Sequence, residues 1–455
     1  MRTKLFLSIL FFCLMGAGAT MAAETRLEPK PNDPYFNQFK PLAAPLPGKL
    51  FLKKGDQLAI CGDSITEQKK YSRLMEDYLT MCTPQLQINV RQFGWGGERA
   101  PGFLARLTND CLIFHPTIAT TCYGMNDQEY RAYEDRISNT YRDSMTAIVK
   151  GFQSHEMRVV VGSPGCVGYR PGWSQGATSE QLNVNLCTLR NIGLEIAAQK
   201  KARFADVFWP MLTASFAAQQ KYGTNYALSG PDAIHPGWAG HTVMAYAFLK
   251  ALGLDGNIGT FTVNLKRSTL KVSAGHKVIS AHDGVFEIES SRYPFCPCAE
   301  TSTADYPICG SDNLDNSQSI RSGMALVPFN QELNRLMLVV KNGTAPTYQV
   351  TWGSDHKTFT TEQLAHGINL AAEFPHNPFT EKFTQVDTAI AAKQAYETDE
   401  IKNQFEGQGQ HLTPPEIAKR TNDVVKSAEA KRDELVAAVA AAFTPVTHTL
   451  KIEAL

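Results

Sequence analysis

The amino-acid sequence predicts an α/β protein: a central parallel sheet with helices on both faces, then a C-terminal β-rich region that carries a helical hairpin (about 380–442). Three observations predict it. From residue 49 to about 255, short apolar runs alternate with stretches of helical spacing, the rhythm of strands joined by crossover helices. Gly253-Leu254-Asp255-Gly256-Asn257 breaks that rhythm, and short strand-like runs follow. Near the end, helical spacing returns from Thr380 onward.

In order, the expected strands of the first region are Leu58–Cys61, Leu86–Gln92, Ile118–Thr121, Arg158–Gly162 and Ala205–Val207. Helical stretches are expected near 67–82, 99–113, 131–154 and 179–200, with a closing helix at Trp238–Leu252. Beyond the break, strands are expected at Thr260–Leu265, Leu270–Val272, Val278–Ser280 and Val285–Ile288. Leu336–Val340 and Tyr348–Trp352 flank Lys341-Asn342-Gly343, a turn signal. Thr380 is placed to cap a helix running to about Phe405, and Thr413-Pro414-Pro415-Glu416 reads as a capping box opening a second. A last strand is expected at Thr447–Glu453.

The first residues read as a secretory signal. Arg2 and Lys4 precede the apolar run Leu5 to Met15, and the small residues Gly16-Ala17-Gly18-Ala19 and Ala22-Ala23 follow. The expected organisation is a signal peptide (1–23), a Pro-rich leader (24–48), an α/β domain (49–255) and an accessory β-rich region (256–455). The expected location is secreted or periplasmic, with no stable membrane insertion once the signal is cleaved, since no later run approaches 18 apolar residues. Lys plus Arg equals Asp plus Glu at 44 each, so no net field favours nucleic acid, and no nucleic-acid partner is expected.

Of ten cysteines, nine remain after the signal peptide, so at least one must be unpaired within a chain; Cys61, on the first buried strand, is the candidate. Cys296, Cys298 and Cys309 lack zinc-ribbon spacing and a nearby His, which favours a disulfide-tied loop over metal. No metal or cofactor is expected. The sequence leaves the oligomeric state open.

Four short blocks carry the chemistry. Gly62-Asp63-Ser64 ends the first strand and opens a helix, placing Ser64 beside free backbone N–H groups. Alone, it reads equally as a capping serine after an Asp turn. Phe93-Gly94-Trp95-Gly96-Gly97-Glu98-Arg99 follows the second strand, either as a flexible turn or as a backbone donor that only Gly lets approach a ligand. Tyr123-Gly124-Met125-Asn126-Asp127 follows the third; Asn126 either satisfies loop backbone or donates its amide to an oxyanion. Pro231-Asp232-Ala233-Ile234-His235-Pro236 precedes the closing helix, a spacing that lets the carboxylate hold one ring nitrogen while the other faces a serine.

In this order, each at a strand end, the blocks resemble those of the SGNH (GDSL-type) hydrolase superfamily over roughly residues 55–252. The resemblance implies a three-layer α/β/α sandwich (SGNH/flavodoxin-like) and ester hydrolysis through an acyl-serine. By position it implies Ser64 as nucleophile, His235 as general base and Asp232 as the residue orienting it. It also implies an oxyanion hole from the Ser64 N–H, Gly97 and Asn126. Trp95-Gly96 replaces the commoner Ile-Ser of the second block and Met125 stands within the third, bringing bulk that would narrow the acyl site towards acetyl. Arg106-Leu107 also resembles the family's segment after block two. No His-Glu-x-x-His motif competes.

The expected partner is a small-molecule or polysaccharide ester, with small acyl groups removed from carbohydrate. Trp95, Tyr123, Met125 and Trp173 are the candidate substrate-binding residues, with core packing as the alternative reading of the aromatics. A lipid or thioester acylhydrolase on the same triad, or a glycan-binding surface protein with minor hydrolysis, are the alternatives.

Overall fold

The computed structural model describes residues 25–26, 29–169, 171–297, 314–405 and 414–455. The expected signal peptide, Cys298, Cys309 and the capping residue Thr413 lie outside them.

Strands β1 (Gln57–Gly62), β2 (Asn89–Gly94), β3 (Ile118–Cys122), β4 (Arg158–Gly162) and β5 (Arg203–Ala205) form a wholly parallel sheet in the order β2-β1-β3-β4-β5. Such a sheet must be covered on both faces, which is why its strands read as continuous apolar runs. Along β1, Leu58 and Ile60 join one core with Tyr71, Leu74, Val243 and Phe248, whereas Ala59 and Cys61 join the other with Phe103, Tyr141 and Met145. The covering helices are α1 (Ser64–Glu67), α2 (Tyr71–Asp77), α3 (Ala100–Arg106), α4 (Asp135–Ser154), α5 (Ser179–Gln199), α6 (Phe208–Tyr222) and α7 (Trp238–Ala251). The strand order reverses beside β1, so the crevice outside the carboxyl ends of β1 and β3 is where a ligand is expected.

Two differences from expectation have local causes. β2 starts later than expected because Pro84–Leu86 form a 3-10 turn that Gln87 ends in the left-handed region. Helix α6 has no counterpart among the expected elements. Pro210 lies in its first turn, where a missing N–H costs nothing, so a residue that reads as a breaker is compatible with the helix.

The C-terminal half supplies two more sheets. β6 (Asn257–Asn264) and β7 (Thr269–Val272) pair with β10 (Arg335–Lys341) and β13 (Ile368–Asn369) in the order β13-β10-β6-β7. β8 (His276–His282), β9 (Val285–Ser290), β11 (Thr347–Trp352), β12 (Asp355–Thr360) and β14 (Val446–Ala454) form an antiparallel sheet in the order β8-β9-β14-β11-β12. The turn at Asn342-Gly343 is therefore not a hairpin: β10 pairs in parallel with β6, and β11 crosses to the other sheet. Phe261 joins the two sheets, its ring centroid 5.0 Å from that of His276 and 6.0 Å from that of His448.

The longer helices of this half are α8 (Ile320–Leu326), α9 (Thr380–Asp399) and α10 (Pro414–Ala442), with Glu400–Phe405 continuing α9 as a wider turn. Thr380 is the first helical residue of α9 rather than its cap; Phe379 precedes it, and the Thr380 hydroxyl accepts from the Asn377 N–H. α9 and α10 pack as a hairpin, and α9 lies across α2 and the outer edge of β2. A sheet edge carries unpaired backbone groups, and here side chains pair them. The Val90 carbonyl accepts from Lys393 Nζ (2.7 Å) and Arg432 (2.8 Å), and the Gln92 N–H donates to Glu397 (3.1 Å). Among the described residues, no helix is long and apolar enough to cross a membrane.

Cys61, Cys82, Cys111, Cys122, Cys166, Cys187 and Cys296 are all buried and unpaired. The expected disulfide-tied loop therefore lacks Cys296: its thiol is wholly enclosed, and burial pushes it up to about 12.

Candidate active site

Ser64 stands at the switch point, on the turn from β1 into α1. Asp63 shapes this turn: its carboxylate accepts the Ile65 N–H at 3.0 Å and caps the helix. Burial pushes its carboxyl up to about 8, against the pull of that N–H, with Asp127 and Glu98 adding to the rise. His241 of α7 ties the segment after α1 to the rest of the fold. Its Nδ1 accepts the Tyr71 N–H at 3.2 Å, so Nε2 carries the proton given to Gln68 Oε1 at 2.9 Å. Burial holds this imidazole well below its usual range, in keeping with a neutral ring.

The loop before α7 brings the base to the serine across 171 residues of chain. Ser64 Oγ donates to His235 Nε2 at 2.8 Å, and His235 Nδ1 donates to Asp232 at 2.6 Å. The second carboxylate oxygen of Asp232 accepts the backbone N–H groups of Ile234 (3.0 Å) and His235 (2.9 Å). Burial alone would raise the Asp232 carboxyl, but the His235 backbone and ring N–H groups and that of Ile234 outweigh it and hold it below the usual range. The tight turn requires Gly230, at φ +81, where a Cβ would collide with the His235 carbonyl oxygen. The Gly168 N–H donates to Ala233 at 2.8 Å, fastening the loop after β4 to this turn.

The second and third blocks meet each other beside the serine. Gly97 sits at φ +72 in a turn closed by the Glu98 N–H to the Trp95 carbonyl (3.2 Å), and that turn is pinned to β1 by the Trp95 N–H to Gly62 (3.0 Å). Asn126 Nδ2 donates to the Glu98 carbonyl at 3.0 Å, so the Asn126 amide lies against the residue after Gly97. Asp127 bridges the same two loops by accepting the Ala100 and Gly124 N–H groups, each at 2.9 Å. Burial pushes its carboxyl up to about 7 despite those bonds. Beneath, Arg106 holds the buried Glu98 carboxylate through two nitrogens (2.6 and 2.8 Å) and the Phe93 carbonyl at 2.7 Å.

The four candidate substrate residues separate. Tyr123 is fully buried, its ring stacked on Phe103 and its hydroxyl donating to Glu98 at 2.9 Å; it presents no face to a substrate. Met125 is also buried, in the core shared with α7. The ring of half-buried Trp95 lies between the cations of Arg106 (5.3 Å) and Lys402 (5.1 Å), the latter also paired with Glu67. Trp173 alone among them is exposed, at 45%, with its ring centroid 6.0 Å from that of His235. Tyr130 and Lys402 had not been singled out from the sequence, because neither stands within one of the four blocks. Among the described residues, no group of three or more His, Cys, Asp or Glu side chains is arranged to hold a metal.

Ser64, His235 and Asp232 stand in one hydrogen-bonded line at a switch point, the order of hydroxyl, imidazole and carboxylate that ester hydrolysis through a serine requires. Residues 60–243 match the model of the GDSL-like lipase/acylhydrolase family; the protein is a serine ester hydrolase. It is similar to an acetylxylan esterase of Geobacillus stearothermophilus, 23% identical over 218 residues that span 44% of this chain and 95% of the relative. In structure it is similar to a gut microbial diltiazem-metabolizing enzyme, with a TM-score of 0.71 and 22% identity over 90% of this chain and all of the other. The likeness therefore extends over the C-terminal sheets as well as the hydrolase fold.

Proposed function

We propose that the protein is an exported carbohydrate O-deacetylase with Ser64, His235 and Asp232 as its catalytic triad. The observation that carries this reading is the line Ser64–His235–Asp232. With Nδ1 of His235 protonated against Asp232, Nε2 is free to take the Ser64 proton as Oγ attacks the ester carbonyl carbon. The carbonyl oxygen gains the charge, and the N–H groups of Ser64 and Gly97 with Asn126 Nδ2 receive it; each such donor is worth about 100- to 1,000-fold in turnover. His235 then returns the proton to the departing sugar oxygen, leaving acyl-Ser64. Water, deprotonated by the same nitrogen, attacks that ester and releases the carboxylic acid.

Three observations support the substrate class. One relative is named an acetylxylan esterase. Trp173 offers an exposed indole face beside the base, suited to a pyranose ring. The N-terminal residues carry the three regions of an export signal. On this reading residues 49–255 are the catalytic domain, and 256–455 brace it along β2.

The test compares wild type with Ser64→Ala on p-nitrophenyl acetate, p-nitrophenyl octanoate and acetylated xylan, following acetate release on the last. The expected result is faster acetate than octanoate turnover, acetate from xylan, and at least a 1,000-fold loss in Ser64→Ala. An unchanged rate in Ser64→Ala overturns the mechanism. Octanoate preference overturns the small-acyl substrate.

A further inference from the structure

Asn126 is held from both ends. Its Nδ2 donates one hydrogen to the Glu98 carbonyl (3.0 Å), and its Oδ1 accepts the Tyr130 hydroxyl at 2.8 Å. A carbonyl oxygen can only accept, so these two contacts fix which end of the amide is which and leave the second Nδ2 hydrogen without a partner among them. Turning the amide over would set two oxygens against each other at Glu98 and leave the Tyr130 hydroxyl facing a donor.

Tyr130 is in turn an unusual residue to find here. It and Glu129 adopt left-handed backbone, at φ +52 and +56, which non-glycine residues do at a cost. Glu129 is fastened by Arg99 (2.8 Å) and Arg136 (2.8 Å), and its N–H closes a turn onto the Asn126 carbonyl at 3.0 Å. The Tyr130 carbonyl accepts the Gln175 N–H at 2.8 Å, anchoring the loop that bears Trp173. The two rings meet edge to face, with centroids 5.9 Å apart. Trp173 reaches His235, so Tyr130 stands between the donor side of the site and its base side.

We infer that Tyr130 is a positioning residue, which acts through Asn126 by holding the amide with Nδ2 towards the charge that develops on the substrate oxygen. This rests on the reading of Asn126 as an oxyanion donor. The bond from the hydroxyl to Asn126 is made to a group that is already half fixed by Glu98, so its loss softens the donor without removing it. One bond of roughly 0.5–1.5 kcal/mol corresponds to about a 2- to 13-fold effect.

The experiment is a double-mutant cycle of Tyr130→Phe and Asn126→Ala, with kcat and KM measured on p-nitrophenyl acetate and melting followed in parallel. The isosteric Tyr130→Phe is expected to lower kcat by about 2- to 13-fold with KM within twofold, since the bond matters chiefly once charge forms. Asn126→Ala is expected to lose about 100- to 1,000-fold. In the Asn126→Ala background, Tyr130→Phe is expected to change kcat by less than twofold. If the Tyr130→Phe loss persists undiminished there, Tyr130 does not act through Asn126 and the inference falls, while the oxyanion assignment stands. Unchanged kcat in Tyr130→Phe overturns it too. Should Asn126→Ala retain wild-type kcat, the oxyanion assignment itself is wrong and the inference goes with it.

Discussion

Replacing Asp232 with Asn keeps the shape of the triad and should disable it through the choice of tautomer. One carboxylate oxygen of Asp232 accepts two backbone N–H groups, from Ile234 and His235, while the other faces His235 Nδ1. A substituted asparagine must give its single oxygen to one of these two sides. Placing it at Nδ1 would abandon two N–H···O bonds, at roughly 0.5–1.5 kcal/mol each, and leave buried donors facing an NH2 group at about 1–3 kcal/mol more. The total, about 2–6 kcal/mol, keeps the oxygen on the backbone in all but roughly one molecule in 30 to 3 × 10⁴. The amide NH2 then donates to Nδ1, the ring proton moves to Nε2, and the Ser64 hydroxyl loses its base. The expected result for Asp232→Asn is a fall in kcat on p-nitrophenyl acetate of about 10³–10⁴, with thermal stability close to wild type because both backbone bonds survive. A kcat within tenfold of wild type would refute the tautomer argument.

Three further predictions concern stability. Lys393 is buried between Glu76 (3.0 Å) and Glu397 (2.7 Å) and caps the Val90 carbonyl, so Lys393→Met leaves two buried carboxylates with one cation fewer; chemical denaturation should show a loss of about 3–5 kcal/mol. By contrast Lys431→Met, which breaks an exposed pair with Glu434, should leave the denaturation midpoint unchanged in the same assay. Asp63 supplies a pH dependence: its folded carboxyl lies at about 8, above the ordinary 3.8, so its contribution is fully present below about pH 4 and is lost as pH rises through 8. Melting temperature should therefore decline between pH 5 and 9, and less steeply in Asp63→Asn, which keeps an oxygen for the Ile65 N–H; an equal slope in the variant would show that Asp63 is not the group responsible.

The hydrolase fold was legible because a parallel sheet buried on both faces leaves unbroken apolar runs between helical stretches. Leu58–Cys61 and Arg158–Gly162 fall within or on the strands observed. The C-terminal sheets were legible only as separate strands. The turn at Asn342-Gly343 reads as a hairpin locally, yet β10 pairs with β6, over 70 residues earlier, and no local signal carries that choice. Side-chain burial was illegible for the same reason: Tyr123 and Met125 stand in the same block as Asn126, and only packing against Phe103 and α7 makes them core.

The sequence by itself determined the four blocks, since each is a local arrangement: a capped turn, a glycine turn, an amide after a strand, and a carboxylate three residues from a histidine. What tertiary structure decided was everything that spans the chain. Ser64 and His235 meet only because the strand order places β1 at the switch point and α7 beside it. Tyr130 meets Trp173 only through a loop fastened to its own carbonyl. Lys393 and Arg432 reach the edge of β2 only once the C-terminal hairpin lies across it. The reason is physical: hydrogen-bonded turns are set by neighbours in sequence, whereas burial and ion pairing depend on which surfaces the folded chain brings into contact.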